Sequence, residues 1–224
     1  IVSDINALRE VLDYEAWNLY GNSYSTRVMQ LAMRHNPEQI RSVILQSTSS
    51  ITATRYEHDP EHAARSIRVM LDDCAADPEC AAAYPELESQ LYALIEQLNQ
   101  EPVAFEVTLP GSSEVSVEMV DGRRLIDWMV QDAFYNPAIP PYKTAYFPLL
   151  IDQVTQGRIE LLYPWLHESL VNNLFGSNFA WGQYLAVNGQ ADSAVITPEL
   201  IDRQTAAYPE LRGYFRHARE VEIC

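Results

Sequence analysis

The stretch Trp17-Asn-Leu-Tyr-Gly-Asn-Ser-Tyr-Ser-Thr-Arg27 decides the reading of this chain. Ala16–Gly21 reads as a short strand and residues 25–34 as a helix, with Val28, Leu31 and Ala32 on one face. Between them lies Gly21-Asn-Ser-Tyr-Ser25, a serine on a sharp strand-to-helix turn. That is the setting of a nucleophile elbow. Such a turn forces the serine into a strained backbone, so the residues two before and two after it must be small. Gly21 meets the demand fully and Ser25 nearly, where glycine is usual. An elbow projects its serine over the carboxyl edge of a sheet and aims the N–H groups of the next helix at developing negative charge. Ser23 is then the candidate nucleophile, and the Tyr24 N–H the first oxyanion donor. The competing reading is a Ser/Asn-rich loop in which Ser25 caps the helix.

Working outward, Asp4-Ile-Asn-Ala-Leu-Arg-Glu-Val-Leu12 has the spacing of an amphipathic helix. Asp4 is its expected N-cap, and Ile5, Leu8, Val11 and Leu12 its apolar stripe. His35-Asn-Pro-Glu38 ends the helix after the elbow, because the residue before Pro37 disfavours helical backbone. Arg41–Gln46 is a second, mostly apolar strand. Apolar strands alternating with helices predict an α/β fold with a parallel sheet covered on both faces. Residues 1–50 form this partial core. Residues 51–224 read as a mainly helical domain, with a β-hairpin near 103–119 around Pro110-Gly-Ser-Ser. Helical spacing recurs at Ile67, Met70 and Leu71, and at Leu87, Leu91, Leu94, Ile95 and Leu98. From Asp121 onward the helical reading is interrupted by prolines.

The formal net charge of −16 argues against a nucleic-acid partner, which needs a basic face, and against an anionic membrane surface. No apolar run reaches the roughly 18 residues of a membrane span. The acidity serves solubility or attracts a cationic ligand such as a peptide amino terminus. Of three cysteines, Cys74 and Cys80 flank a proline-containing turn. They form either a disulfide, which implies a periplasmic or secreted protein, or two reduced thiols, which suit the cytoplasm. No ligand spacing for a metal is present and no cofactor is expected. Cys224 has no evident partner. The chain begins with Ile1, and the expectation is a processed or trimmed product.

Residues Ile5–Ser47 resemble the nucleophile region of α/β-hydrolase serine peptidases of the proline iminopeptidase and tripeptidyl aminopeptidase (TAP-like) group. The resemblance rests on Leu8-Arg9, Trp17–Arg27, His35-Asn-Pro-Glu38 and Ile40-Arg-Ser-Val-Ile-Leu45. The group has Gly where this chain has Ser25, and lacks the extra Asn36. Cys74–Cys80, Tyr84-Pro-Glu-Leu87, Asp121-Gly-Arg-Arg, Phe179–Tyr184 and Tyr208-Pro-Glu-Leu211 are also similar, extending the likeness over most of the chain. The resemblance implies a partial α/β-hydrolase core, a large helical cap, and peptide cleavage through an acyl-Ser23 intermediate. The substrate is then a peptide or small ester.

The group's oxyanion loop, triad Asp and triad His have no counterpart motif in this sequence. His35 reads as part of the helix-ending stretch, His58 and His62 as solvated, and His167 and His217 as ordinary helical residues. The expectation is therefore a fragment of a protein roughly twice as long, inactive alone because no base activates the serine. Self-association, or complementation by further segments, would cover its exposed sheet. A carboxylesterase on the same scaffold and a non-catalytic binding domain are the alternatives. Glu57, Asp59 and Glu61 are candidates to hold an amino terminus, or simply solvated. Trp128, Phe134, Tyr135, Tyr142, Phe147, Trp165 and Trp181 line either an apolar pocket or an ordinary core. Asn188-Gly189 stands where the group often has Cys followed by an acidic residue, which leaves Cys224 without its partner.

Overall fold

The computed structural model describes residues 1–52, 56–108, 113, 115–134, 144–164, 180, 182–186, 195–211 and 214. The chain divides into two compact units, Ile1–Arg55 and Tyr56–Cys224. Its content is mixed, with helices predominating and strands confined, among the described residues, to two two-stranded sheets.

In the first unit, α1 (Val2–Val11) leads to β1 (Trp17–Asn22), α2 (Ser25–His35) and β2 (Ile40–Gln46). The strands pair in parallel, with Gly21 opposite Leu45 and Asn22 opposite Gln46. Alternation along β1 turns Leu19 and Gly21 inward, and α2 lays Met29 and Ala32 against them. The expected cover on both sheet faces is not observed. Tyr20 and Ile44 stand 60% and 62% exposed on the opposite side. Of the expected stripe of α1, Ile5 packs against this core, whereas Leu8, Val11 and Leu12 are exposed. Asp4 does not cap that helix, which starts two residues earlier with Ile1 as N-cap and Asp4 inside its first turn. There the carboxylate faces the helix's positive end, a favourable place without capping geometry.

The second unit is built on a helical layer and a hairpin. Helices α3 (Asp59–Ala76), α4 (Pro78–Ala83) and α5 (Leu87–Gln100) precede the antiparallel pair β3 (Val103–Thr108) and β4 (Val115–Val120). Helix α6 (Gly122–Asp127) then runs into a π-helical turn over Trp128–Phe134, and α7 spans Phe147–Thr155. A further helix covers Pro198–Ala207. Proline sits in the first turn of α3, α4, α7 and the Pro198–Ala207 helix. At that position its missing N–H costs nothing, so these prolines start helices rather than break them. The core gathers Ile67, Leu91, Ile95, Leu98, Ile126 and Met129, all essentially without solvent exposure. Trp128 and Phe147 belong to this core and meet edge to face at 5.2 Å between ring centres.

Cys74, at the end of α3, and Cys80, in α4, are joined by a disulfide. Asp77 lies between them and caps α4 by accepting the Glu79 and Cys80 N–H groups, both at 2.9 Å. Closing so short a loop removes unfolded-state entropy worth about 2–2.5 kcal/mol in the chain-entropy model. The Cys74→Ser, Cys80→Ser chain is therefore expected to lose about that much stability. Urea unfolding of the two chains side by side measures it, and equal midpoints would contradict the assignment.

Candidate active site

The site begins with the end of β1. Ser23 has φ of +56°, in the left-handed region that a non-glycine residue adopts at a cost of roughly 1–3 kcal/mol. Its N–H donates to the Gln46 carbonyl at 3.0 Å, so the parallel pairing continues into the turn. The Ser23 carbonyl accepts the Thr26 N–H at 3.0 Å and the Thr26 hydroxyl at 2.6 Å. These bonds hold both flanking peptides while the side chain stays exposed at the carboxyl edge of the sheet.

Close approach of backbones explains Gly21. A Cβ there would lie 2.8 Å from the Met29 Cγ and 3.1 Å from the Ser25 carbonyl carbon and oxygen. Ser25, in the position where glycine is usual, fits because its hydroxyl folds back on Asn22. It accepts the Asn22 N–H at 2.7 Å and donates to the Asn22 carbonyl at 2.8 Å. Ser25 is thus the first residue of α2 rather than its cap, and Tyr24 occupies the N-cap position. Among the described residues the Tyr24 and Ser25 N–H groups have no acceptor, which leaves the helix N-terminus open beside Ser23.

A second strained residue supports the turn. Ser47, directly after β2, has φ of +52°. The chain bends there so that the Ser49 N–H donates to the Thr26 hydroxyl at 2.9 Å and the Ser49 carbonyl accepts from Gln30 Nε2 at 2.7 Å. Thr26 is fully buried and serves both loops.

Among the described residues the Ser23 hydroxyl makes no hydrogen bond, so no acid–base partner is placed beside it. His35 closes α2. His58 shares a 3.0 Å hydrogen bond with Glu61, and its ring centre lies 6.0 Å from that of His62. Glu57 gives its backbone carbonyl to Gln204 Nε2, and Asp59 opens α3. His167, His217, Tyr135, Tyr142, Trp165, Trp181, Asn188, Gly189 and Cys224 lie outside the described residues. Among the described residues no group of three or more metal-ligating side chains converges, and no helix is long and apolar enough to cross a membrane.

Of the candidate aromatic residues, Phe134 lines an open site. It borders a cleft of about 590 Å³ in the second unit, formed by one side of α3 and the start of α7. Its α3 wall carries Arg65, Val69 and Asp73 at four-residue spacing, with Asp77 just beyond the helix end. The sequence reading did not single out Arg65, Asp73 or Asp77, although that spacing was visible. Elsewhere on α3, Arg68 meets Glu88 of α5 at 2.6 Å and holds its carboxyl below the usual range. Nearby Tyr92 is pushed up by burial.

Comparison of this chain with protein-family models, with curated proteins and with solved structures finds no match.

Proposed function

We propose that Ser23 is the nucleophile of a serine hydrolase, most suitably an aminopeptidase acting on the first residues of a peptide through an acyl-Ser23 intermediate. The observation that carries this reading is the backbone of Ser23. A non-glycine residue at φ of +56°, between a parallel strand and a helix with an open N-terminus, needs a reason to persist. Displaying a reactive hydroxyl is that reason. In the proposed step the Ser23 Oγ attacks the scissile carbonyl and gives its proton to a base. The Tyr24 N–H stabilises the resulting oxyanion, the amine leaves with a proton, and water releases the acyl group. The sequence motifs assign neither the base nor its orienting acid, so the chain alone is expected to turn over peptides poorly. The Cys74–Cys80 disulfide supports a periplasmic or secreted setting.

The test is prolonged exposure of the chain to a fluorophosphonate, with the modified residue mapped by mass spectrometry. Hydrolase sites without a complete triad keep residual catalysis of about 10³-fold over water from binding and the oxyanion hole. Slow modification confined to Ser23 and abolished by denaturation is expected. Modification spread over several serines, or equal before and after denaturation, rejects the nucleophile. The second reading is a hydrolase-like binding domain, and that outcome would select it. Where labelling succeeds, faster hydrolysis of p-nitrophenyl esters than of aminoacyl anilides would move the assignment to a carboxylesterase.

A further inference from the structure

The cleft of the second unit has an ordered distribution of charge. Its length is set by α3, along which Arg65 and Asp73 are eight residues apart, roughly 12 Å at the rise of an α-helix. Between them lie Val69 and Met70, and across the cleft Phe134 and Pro148. One end is therefore cationic, the middle apolar and the other end anionic. Among the described residues neither the Arg65 side chain nor the Asp73 side chain has a hydrogen-bond or ion-pair partner, although the Asp73 carbonyl accepts the Asp77 N–H at the end of α3. Arg68, also on α3, differs in being committed to Glu88. Asp77 adds negative charge at the anionic end, although its Oδ1 is already occupied by the α4 N–H groups. The disulfide between Cys74 and Cys80 lies in the wall at that end and fixes the corner that carries both aspartates. At about 590 Å³ the cleft falls within the size range of small-ligand sites.

We propose that this cleft binds a short zwitterionic peptide of three or four residues with an apolar side chain in its middle. Extended peptide spans about 3.3–3.6 Å per residue, so three or four residues bring a free amino group and a free carboxylate roughly 10–14 Å apart. The ammonium group lies at Asp73, the carboxylate at Arg65, and the central side chain over Val69, Met70 and Phe134. A longer chain overruns one of the two charges, and a single amino acid reaches only one of them. Recognition depends on both free ends, because each meets a charged side chain that has no partner among the described residues, beside an apolar wall. The site stands independently of any reaction at Ser23.

Isothermal titration of the Ser23→Ala chain at low salt tests it, the substitution preventing consumption of the probe. The probes are the tripeptide Ala-Leu-Ala, its N-acetyl form and its C-terminal amide. The free peptide is expected to bind at least about tenfold more tightly than either blocked form. Added Asp73→Asn should erase the penalty for acetylation and keep that for amidation. Added Arg65→Gln should do the reverse. Both residues are exposed, so circular dichroism of each variant should match the parent. Failure of the free peptide to bind, equal affinity for all three probes, or discrimination that survives both substitutions would each overturn the proposal. Loss of affinity for all three probes alike in a variant with an unchanged spectrum would do so too. None of these results depends on whether fluorophosphonate modifies Ser23.

Discussion

Gly122→Ala is expected to cost the second unit at least about 3–4 kcal/mol, among the larger effects a single substitution produces. Gly122 opens α6 and is buried against α5. A Cβ placed on it would sit 2.2 Å from the carbonyl oxygen of Ile95 and 2.9 Å from its carbonyl carbon. Both atoms belong to the backbone in the middle of a helix, and no rotamer change moves them. Relief requires α5 and α6 to separate where Ile95, Leu98, Leu125 and Ile126 interlock. Tight packing resists such a shift, because each displaced contact also opens space elsewhere. Urea unfolding followed by near-ultraviolet circular dichroism, which reports the packed aromatic side chains, Trp128 among them, checks this. A midpoint unchanged from the parent would mean that the close approach of the two helices is not real.

Gly21→Val is expected to couple stability to reactivity. An added Cβ already reaches 3.1 Å from two backbone atoms of Ser25, and the valine methyls extend further into Met29. Overpacking of this kind costs about 1–3 kcal/mol. The first unit has a thin core of Leu19, Met29 and Ala32, which gives little reserve against such a loss. To remain folded the turn must open, and opening it returns Ser23 to ordinary backbone angles. Selective fluorophosphonate modification of Ser23 should then fall by at least about tenfold even in the folded fraction. Modification that persists at the parental rate would show that the narrow turn is not what makes Ser23 reactive.

How far the sequence reached depended on how local the deciding forces were. The sharp turn at Ser23 was legible because its steric demand falls on residues two positions apart. Gly21 and the Ser23 turn could be read without knowing what packs elsewhere. The hairpin was legible for the same reason, from the Pro110-Gly-Ser-Ser turn signal between two strand-like runs, and β3 turns Phe105 and Val107 inward. In the stripe of α1, Ile5 found cover while Leu8, Val11 and Leu12 did not, because helical spacing alone does not supply a surface to cover them. Ser25 was ambiguous until its hydroxyl was seen closing on Asn22. Glycine and serine fit that position for different reasons, one by absence of bulk and the other by a pair of hydrogen bonds. The cleft could not be read, since its far wall of Phe134, Thr144 and Pro148 comes from segments some seventy residues beyond α3 in the chain. Tertiary proximity of that kind leaves no local pattern.

The π-helical turn at Trp128–Phe134 has a consequence for how the chain tolerates changes of length. A π turn makes residues five apart neighbours, where an α-helix does so at three and four. Trp128 and Ala133 both reach the core in this way, although ordinary winding would rotate one of them away. The turn thus accommodates one residue more than the helical face requires. Deleting one residue here would restore regular winding and keep α6 in phase with the segments that follow. The same deletion inside α5 would rotate every later side chain off its face. Among the described helices, this one has slack for an altered reading frame of faces, and relatives of differing length should place their gap here.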